Sequence, residues 1–299
     1  MSKLFHGLVA ATHTPFHKDG ALNLDAVEKQ AAHLSDNKVQ VAFIGGSTGE
    51  SHSLTLEERL LLTERWMQVT RGSNLKVVVH VGSNCLEDSR TLAMQAQKSG
   101  ALAVSALAPS YFKPRNVDAL VECCQHIAGA APGLPFYFYD IPVLTGVNLS
   151  MPEFLAKAPG KISNLAGLKF TNVDFVSFKK CLDMDGGKYE ILWGVDEMLL
   201  AALAFGAHGA VGSTYNFAAG IYHRLMQAFE KNDLATARAE QARSIRLVDI
   251  LVTRGYMGSA KAMMQMQGVP VGPPRLPNQA LSPQQVDALA AELKQEKYL

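Results

Sequence analysis

The sequence predicts an α/β chain folded as a (β/α)₈ TIM barrel with a C-terminal helical extension. Three observations carry this. Eight short apolar runs alternate with longer segments of helical period. The runs are apolar along their whole length, as strands buried on both faces of a parallel sheet must be. The units recur evenly, at about 25–35 residues each, which suits closure into a barrel. A doubly wound open sheet is the competing arrangement, but no dinucleotide fingerprint follows the first run.

In chain order, the strand-like runs occupy residues 8–14, 41–46, 77–82, 103–108, 135–141, 165–171, 190–195 and 209–214. Helical patterns lie between them at residues 25–37, 55–71, 86–99, 117–130, 175–184 and 197–205, and residues 152–158 supply a shorter one. The barrel is expected over residues 1–230 and the extension, packed on it, over residues 231–299. Helices are expected in the extension near residues 234–253, 258–266 and 283–296. The last two are separated by Val269-Pro270-Val271-Gly272-Pro273-Pro274-Arg275-Leu276-Pro277, which cannot be regular helix because proline removes donors and fixes φ. This stretch is short and apolar, so it is expected to be an ordered connection. The helix after it has Ser282 as its cap and Pro283 at its first position.

Composition narrows the function classes. The 299 residues are 48% hydrophobic and 18% charged, enough to bury a full core. With 28 Lys and Arg against 27 Asp and Glu, the net charge of +1 offers no electrostatic footprint for nucleic acid or an anionic membrane, so a small-molecule partner is expected. The N-terminus carries Lys3 but no apolar stretch of signal-peptide length, and no apolar run reaches membrane-spanning length. A soluble, cytoplasmic protein is expected. Cys85, Cys123, Cys124 and Cys181 have neither a Cys-x-x-Cys pair nor a framework spacing, and are expected to be reduced packing residues.

The most informative residue is Lys169, inside the apolar run Leu165-Ala166-Gly167-Leu168-Lys169-Phe170-Thr171. A buried lysine is costly unless it is paired or its chemistry is used. Burial favours the neutral amine, which can attack a ketone and form a Schiff base, so covalent carbonyl chemistry is the leading expectation. A strand-end lysine that snorkels to solvent or pairs with a carboxylate is the alternative.

Barrel geometry sorts the remaining polar groups, because catalytic residues in this architecture sit where strands end and loops begin. The second run ends in Gly45-Gly46-Ser47-Thr48-Gly49-Glu50, whose glycines allow close approach and whose hydroxyls and N–H groups can hold an anion. Such a turn is often only a helix start. The fifth run ends in Tyr137-Phe138-Tyr139-Asp140-Ile141-Pro142; alternation sends Tyr137 and Tyr139 to one face, separated only by depth. After the seventh come Gly194-Val195-Asp196-Glu197, adjacent acids that can cap a helix or bind sugar hydroxyls. The eighth ends in the hydroxyl cluster Gly212-Ser213-Thr214-Tyr215-Asn216.

Taken together with Tyr139-Asp140-Ile141-Pro142 and Gly167-Leu168-Lys169-Phe170-Thr171, these motifs resemble the pyruvate-dependent class I aldolases of the dihydrodipicolinate synthase superfamily. The resemblance spans nearly the whole chain and includes Gly272-Pro273-Pro274-Arg275-Leu276-Pro277. It implies a homotetrameric barrel that needs no cofactor. The branch these motifs match reversibly cleaves sialic acid to pyruvate and N-acetylmannosamine.

By the same resemblance, Lys169 forms the Schiff base and Tyr139 removes the proton from the C4 hydroxyl. Proton transfer is eased by the cationic imine and relayed by the substrate carboxylate. Ser47 and Thr48 match the carboxylate site. Thr171, Gly194, Asp196, Glu197 and Ser213 match positions that contact the hydroxylated tail, and Tyr111 matches an aromatic that reaches the neighbouring subunit's site.

Two departures stand out. Family members commonly have Asn after the catalytic tyrosine, where this chain has Asp140, an extra charge expected near the site. Relatives that condense pyruvate with aspartate semialdehyde carry an arginine five residues after that tyrosine. Leu144 stands there and cannot hold a second carboxylate, which disfavours that reaction. Aldolases of other 2-keto-3-deoxy sugar acids stay open.

Other chemistries fit less well. His13 and His17 are split by Pro15 and are not two ligands on one helical face, so no metal site is expected. A phosphate gripped after the last two strands is disfavoured by Asp196 and Glu197. A non-catalytic keto-acid-binding regulator is the alternative from a different class, and intact Lys169 and Tyr139 argue against it.

Overall fold

The computed structural model describes residues 4–299; Met1, Ser2 and Lys3, the start of the segment tested above for a leader, lie outside the described residues. The eight expected strands form, as β1 Gly7–Ala11, β2 Val41–Ile44, β3 Lys76–His80, β4 Ala103–Leu107, β5 Phe136–Asp140, β6 Leu165–Phe170, β7 Glu190–Trp193 and β8 Gly209–Gly212. They close in sequence order into one barrel, with every neighbouring pair parallel.

Strand alternation builds two cores. Val9, Phe43, Val78, Tyr137, Tyr139, Leu192 and Val211 point into the barrel, while Leu8, Ala42, Val77, Phe138, Phe170, Trp193 and Ala210 point out to the helices. The uniform apolarity of the runs follows, since both faces are buried. Gly167 lets β6 and β7 approach closely, because a Cβ there would lie 1.8 Å from the carbonyl oxygen of Glu190.

The helices around the barrel are α1 Ala26–Asp36, α2 Leu56–Val69, α3 Leu86–Ser99, α4 Val117–Ala128, the short α5 Pro142–Thr145, α6 Met151–Lys157, α7 Phe175–Asp183, α8 Leu199–Phe205 and α9 Tyr215–Glu230. Most match the expected spans to within a few residues. Two differences have physical causes. The eighth helix begins at Leu199, not Glu197, because Asp196–Met198 is a 3₁₀ turn. Helix α9 was not legible in the helical pattern: its first turn, Tyr215 to Phe217, is buried, Ala218 departs from helical dihedrals, and Gly220 follows. The strand patterns also ran past the ladder ends, because the loops there remain buried, as at Thr12, His13 and Thr14.

In the extension, α10 Leu234–Val252 lies along α9, and α11 Tyr256–Met266 and α12 Pro283–Gln295 follow. Ser282 caps α12 as expected, its Oγ accepting from Gln285 N at 3.3 Å with Pro283 in the first turn. The Pro-rich stretch is ordered. Phe16 N donates to the Val271 carbonyl at 3.0 Å, and the Arg275 guanidinium makes a two-pronged bond to Glu58 and rests 4.3 Å over the Phe16 ring. No helix among the described residues is long and apolar enough to cross a membrane. All four cysteines are free; Cys124 and Cys181 pack in the core, whereas Cys85 is exposed at the start of α3, which corrects the packing expectation for that thiol.

Candidate active site

Inward alternation on β6 delivers Lys169 to the barrel axis, where it is 4% exposed. Its Nζ has no hydrogen-bond or ion-pair partner among the described residues; it lies 3.9 Å from the centre of the Tyr139 ring and 4.4 Å from that of Phe43. Of the two readings of this lysine, the paired or snorkelling one is thereby set aside. The depth distinction between the tyrosines is equally plain. Tyr137 sits below and donates to Glu190 Oε2 at 2.6 Å, while Tyr139 faces the mouth with its hydroxyl 3.4 Å from Ser47 Oγ.

A cavity of about 1030 Å³ opens at the C-terminal ends of the strands. It brings together Lys169, Tyr139, Ser47, Thr48, Thr171, Gly194, Asp196, Glu197 and Ser213, all nine of the residues expected there. Lys169 is its only Lys or Arg among the described residues. Tyr111 is not part of it: the side chain is 77% exposed beside Phe112, and it does not pack on its own barrel.

The two acids differ. Asp196 is buried and its Oδ2 accepts from the Thr214 amide at 3.0 Å and the Thr214 hydroxyl at 2.6 Å. Burial raises its pKa, and the Thr214 bonds oppose the rise. Thr214 continues through Tyr222 to Ser244, which returns to the Asp196 carbonyl, so the loop after β7 is tied to α9 and α10. Glu197 is half-buried, and burial together with the Asp196 charge raises its pKa. Gly212 and Gly194 make the space: a Cβ at Gly212 would fall 1.9 Å from Asp196 Oδ1, and one at Gly194 2.0 Å from Thr171 Oγ1.

Asp140 lies near the cavity, as expected, without lining it. It follows an inward residue, so it points out of the barrel, is buried, and does not line the cavity; its Oδ2 accepts from Asn172 Nδ2 at 3.2 Å. The extra charge is therefore behind the strand and not in the site. Leu144 lies at the cavity mouth and is 63% exposed.

Several residues were not found by sequence reasoning. His80 packs edge-on against Tyr139 at 5.8 Å; its Nε2 accepts from Leu107 N, which leaves Nδ1 to donate to the Gly45 carbonyl at 2.9 Å. Burial holds it well below the usual histidine range, hence neutral. The extension adds Tyr256, Met257 and Asn278 to the cavity wall, and the Tyr256 hydroxyl bonds Ser213 Oγ. The helical pattern was expected to resume only near residue 258, whereas Tyr256 and Met257 open α11, and nothing local indicated that this helix start lies at the barrel mouth. Among the described residues no group of three or more His, Cys, Asp or Glu is arranged to hold a metal.

A closed (β/α)₈ barrel with a cavity at the C-terminal ends of its strands, gathering a lysine, a tyrosine, paired hydroxyls and two acids, has the architecture of a barrel enzyme. The chain belongs to the dihydrodipicolinate synthetase family, whose model matches residues 4–296. It is 39% identical to the N-acetylneuraminate lyase of Rattus norvegicus, over 99% of this chain and 94% of that one. The fold superposes on the N-acetylneuraminate lyase of Proteus mirabilis with a TM-score of 0.95 at 38% identity, covering 99% of both chains. For the N-acetylneuraminate lyase (sialic acid aldolase) of Aliivibrio salmonicida the TM-score is 0.96 at 38% identity, covering 99% of this chain and 98% of that one.

Proposed function

We propose that this chain reversibly cleaves N-acetylneuraminate to pyruvate and N-acetyl-D-mannosamine through a Schiff base on Lys169. The observation that carries the reading is the unpartnered Nζ of Lys169, held against the Tyr139 ring in a cavity with the other expected residues. The similarity to proteins named N-acetylneuraminate lyase over nearly the full chain supports the choice of substrate.

In the proposed reaction Lys169 attacks the C2 ketone of the open-chain sugar acid, and loss of water gives a protonated imine. That imine is the electron sink. The C4 hydroxyl gives up its proton as the C3–C4 bond breaks, releasing the aldehyde sugar and leaving an enamine on the lysine. Protonation at C3 and hydrolysis then release pyruvate and restore the amine.

Tyr139 is the proposed base, acting through the substrate carboxylate, and its hydroxyl lies beside Ser47, a proposed ligand of that carboxylate with Thr48. Thr171, Gly194, Asp196, Glu197 and Ser213 are proposed to line the polyol subsite, where each acid can accept from adjacent hydroxyls. Tyr111, exposed on a loop, is proposed to reach a neighbouring subunit's site in a homotetramer. The barrel over residues 1–230 would then be the catalytic unit, residues 231–299 its extension, and the cytoplasm its place of action.

Condensation of pyruvate with aspartate semialdehyde is disfavoured, since a second carboxylate arriving at the mouth meets Leu144 in place of an arginine. The test is incubation with pyruvate and borohydride followed by peptide mapping. A three-carbon adduct on Lys169, and loss of both adduct and sialate cleavage in Lys169→Ala, are expected. An adduct elsewhere, or cleavage by the alanine variant, would overturn the proposal.

A further inference from the structure

Glu50 closes the loop that carries Ser47 and Thr48, and it does so in the left-handed region, with φ 53° and ψ 37°. Such a conformation is uncommon outside glycine and persists only where the surroundings impose it. The side chain supplies the constraint. Its carboxylate is fully enclosed, with Oε1 2.7 Å from Lys261 Nζ, the two side chains being 0% and 1% exposed. Oε2 accepts from the backbone N–H of Arg275 at 2.8 Å.

Lys261 is, with Lys169, one of two buried lysines among the described residues. Its Nζ donates to the carbonyls of Thr14 at 2.9 Å and Pro273 at 3.2 Å, and it sits 4.3 Å from the centre of the Phe16 ring. Burial pulls its pKa down to about 8, and Glu50 opposes the drop. Thr14 in turn donates through Oγ1 to the Gly49 carbonyl at 2.6 Å. The hydroxyl loop is thus bolted to the end of β1, to α11 and to the Pro-rich strap by one buried charge pair.

A buried ion pair contributes little net stability compared with an apolar pair of the same shape, whereas removing one partner is strongly destabilising. Its distinctive effect is geometric: it admits one arrangement of the loop. Resting on the aldolase reading above, we propose that Glu50 and Lys261 are positioning residues, through which the C-terminal extension fixes Ser47 and Thr48 to receive the pyruvate carboxylate.

The test uses Glu50→Gln, Lys261→Met and the double variant in the full-length enzyme, assayed in the condensation direction. Expected for each variant is a rise of about tenfold in the KM for pyruvate, equivalent to one lost well-placed hydrogen bond. The half-saturating pyruvate for borohydride trapping rises in step, while kcat and the KM for N-acetylmannosamine change far less. The double variant leaves no unpaired buried charge, so its melting temperature recovers relative to the single variants while its KM for pyruvate stays high. It remains informative even where a single variant fails to fold. A double variant with wild-type KM for pyruvate would overturn the positioning role and leave the aldolase reading intact. Wild-type enzyme that is not trapped on Lys169 would overturn both.

Discussion

Lys169 and Tyr139 are register partners on adjacent strands β6 and β5, and both point inward, so the lysine Nζ rests 3.9 Å from the tyrosine ring centre. Parallel pairing fixes this proximity through the backbone ladder, with no need for a direct bond between the two side chains.

Tyr139→Phe keeps the ring under Lys169 and removes only the hydroxyl. A loss of kcat of about a hundredfold or more is expected, the usual range for a missing proton-transfer group. Tyr111→Phe should cost less, because that ring is exposed and outside its own cavity. Steady-state cleavage of sialate compares them; equal or reversed losses would sink the assignment of the base.

Glu197→Ala should leave imine formation with pyruvate intact while blunting selection among sugar acids of different tail length by about tenfold, as one charge-assisted contact is lost. The checks are relative kcat/KM for substrates of graded length and borohydride trapping with pyruvate alone. If pyruvate no longer traps on the variant, Glu197 belongs to the carboxyl end of the site instead.

Burial pushes the Asp140 carboxyl up to about 6, with the Asn172 amide pulling it back. An unfolded aspartate titrates near pH 3.9, so the stability held in the protonated form is fully present below about pH 4 and is lost as pH rises through about 6. Keeping Asp140 ionised at pH 8 then costs on the order of 3 kcal/mol at about 1.36 kcal/mol per pH unit. Asp140→Asn should therefore stabilise the fold at pH 8 and change it little at pH 4. Urea unfolding at the two pH values measures this, and an equal shift at both contradicts it.

Gly194→Ala forces a methyl to within 2.0 Å of Thr171 Oγ1. Overpacking of this kind costs about 1–3 kcal/mol, so a lower melting temperature and weaker binding of the sugar acid are expected together. A variant with unchanged melting temperature and KM would show that the segments following β6 and β7 part more easily than their packing suggests.

How far the site was legible follows from range. Lys169 and the polar groupings at the strand ends were legible because strand parity and barrel polarity are local consequences of a repeating pattern, whereas the choice of Tyr139 over Tyr137 and the separate roles of the loop-end residues came from the family resemblance. The same parity places Asp140 outside once Tyr139 is inside, a step available from the sequence. Tyr256, Lys261 and Arg275 were not legible, because each meets the barrel mouth across a large separation in sequence, 225 residues in the case of Arg275 and Glu50. No periodicity specifies where a C-terminal extension docks. Helix α9 was hidden for another reason: its buried first turn and mid-helix Gly220 erase the usual start signal.

Below Lys169 the barrel interior narrows to a void of about 10 Å³ among Phe5, Val9, Tyr137 and their neighbours, and Glu190 clamps the backbone of Phe5 across the bottom. Among the described residues, the wide opening of the chamber is at the C-terminal ends of the strands. In the proposed cleavage the three-carbon half stays bonded at the inner wall while the sugar half lies toward the opening, which sets a queue: the aldehyde departs first and pyruvate follows. Pyruvate then competes with sialate for the empty enzyme, whereas added N-acetylmannosamine recaptures the enamine and runs the reaction backwards.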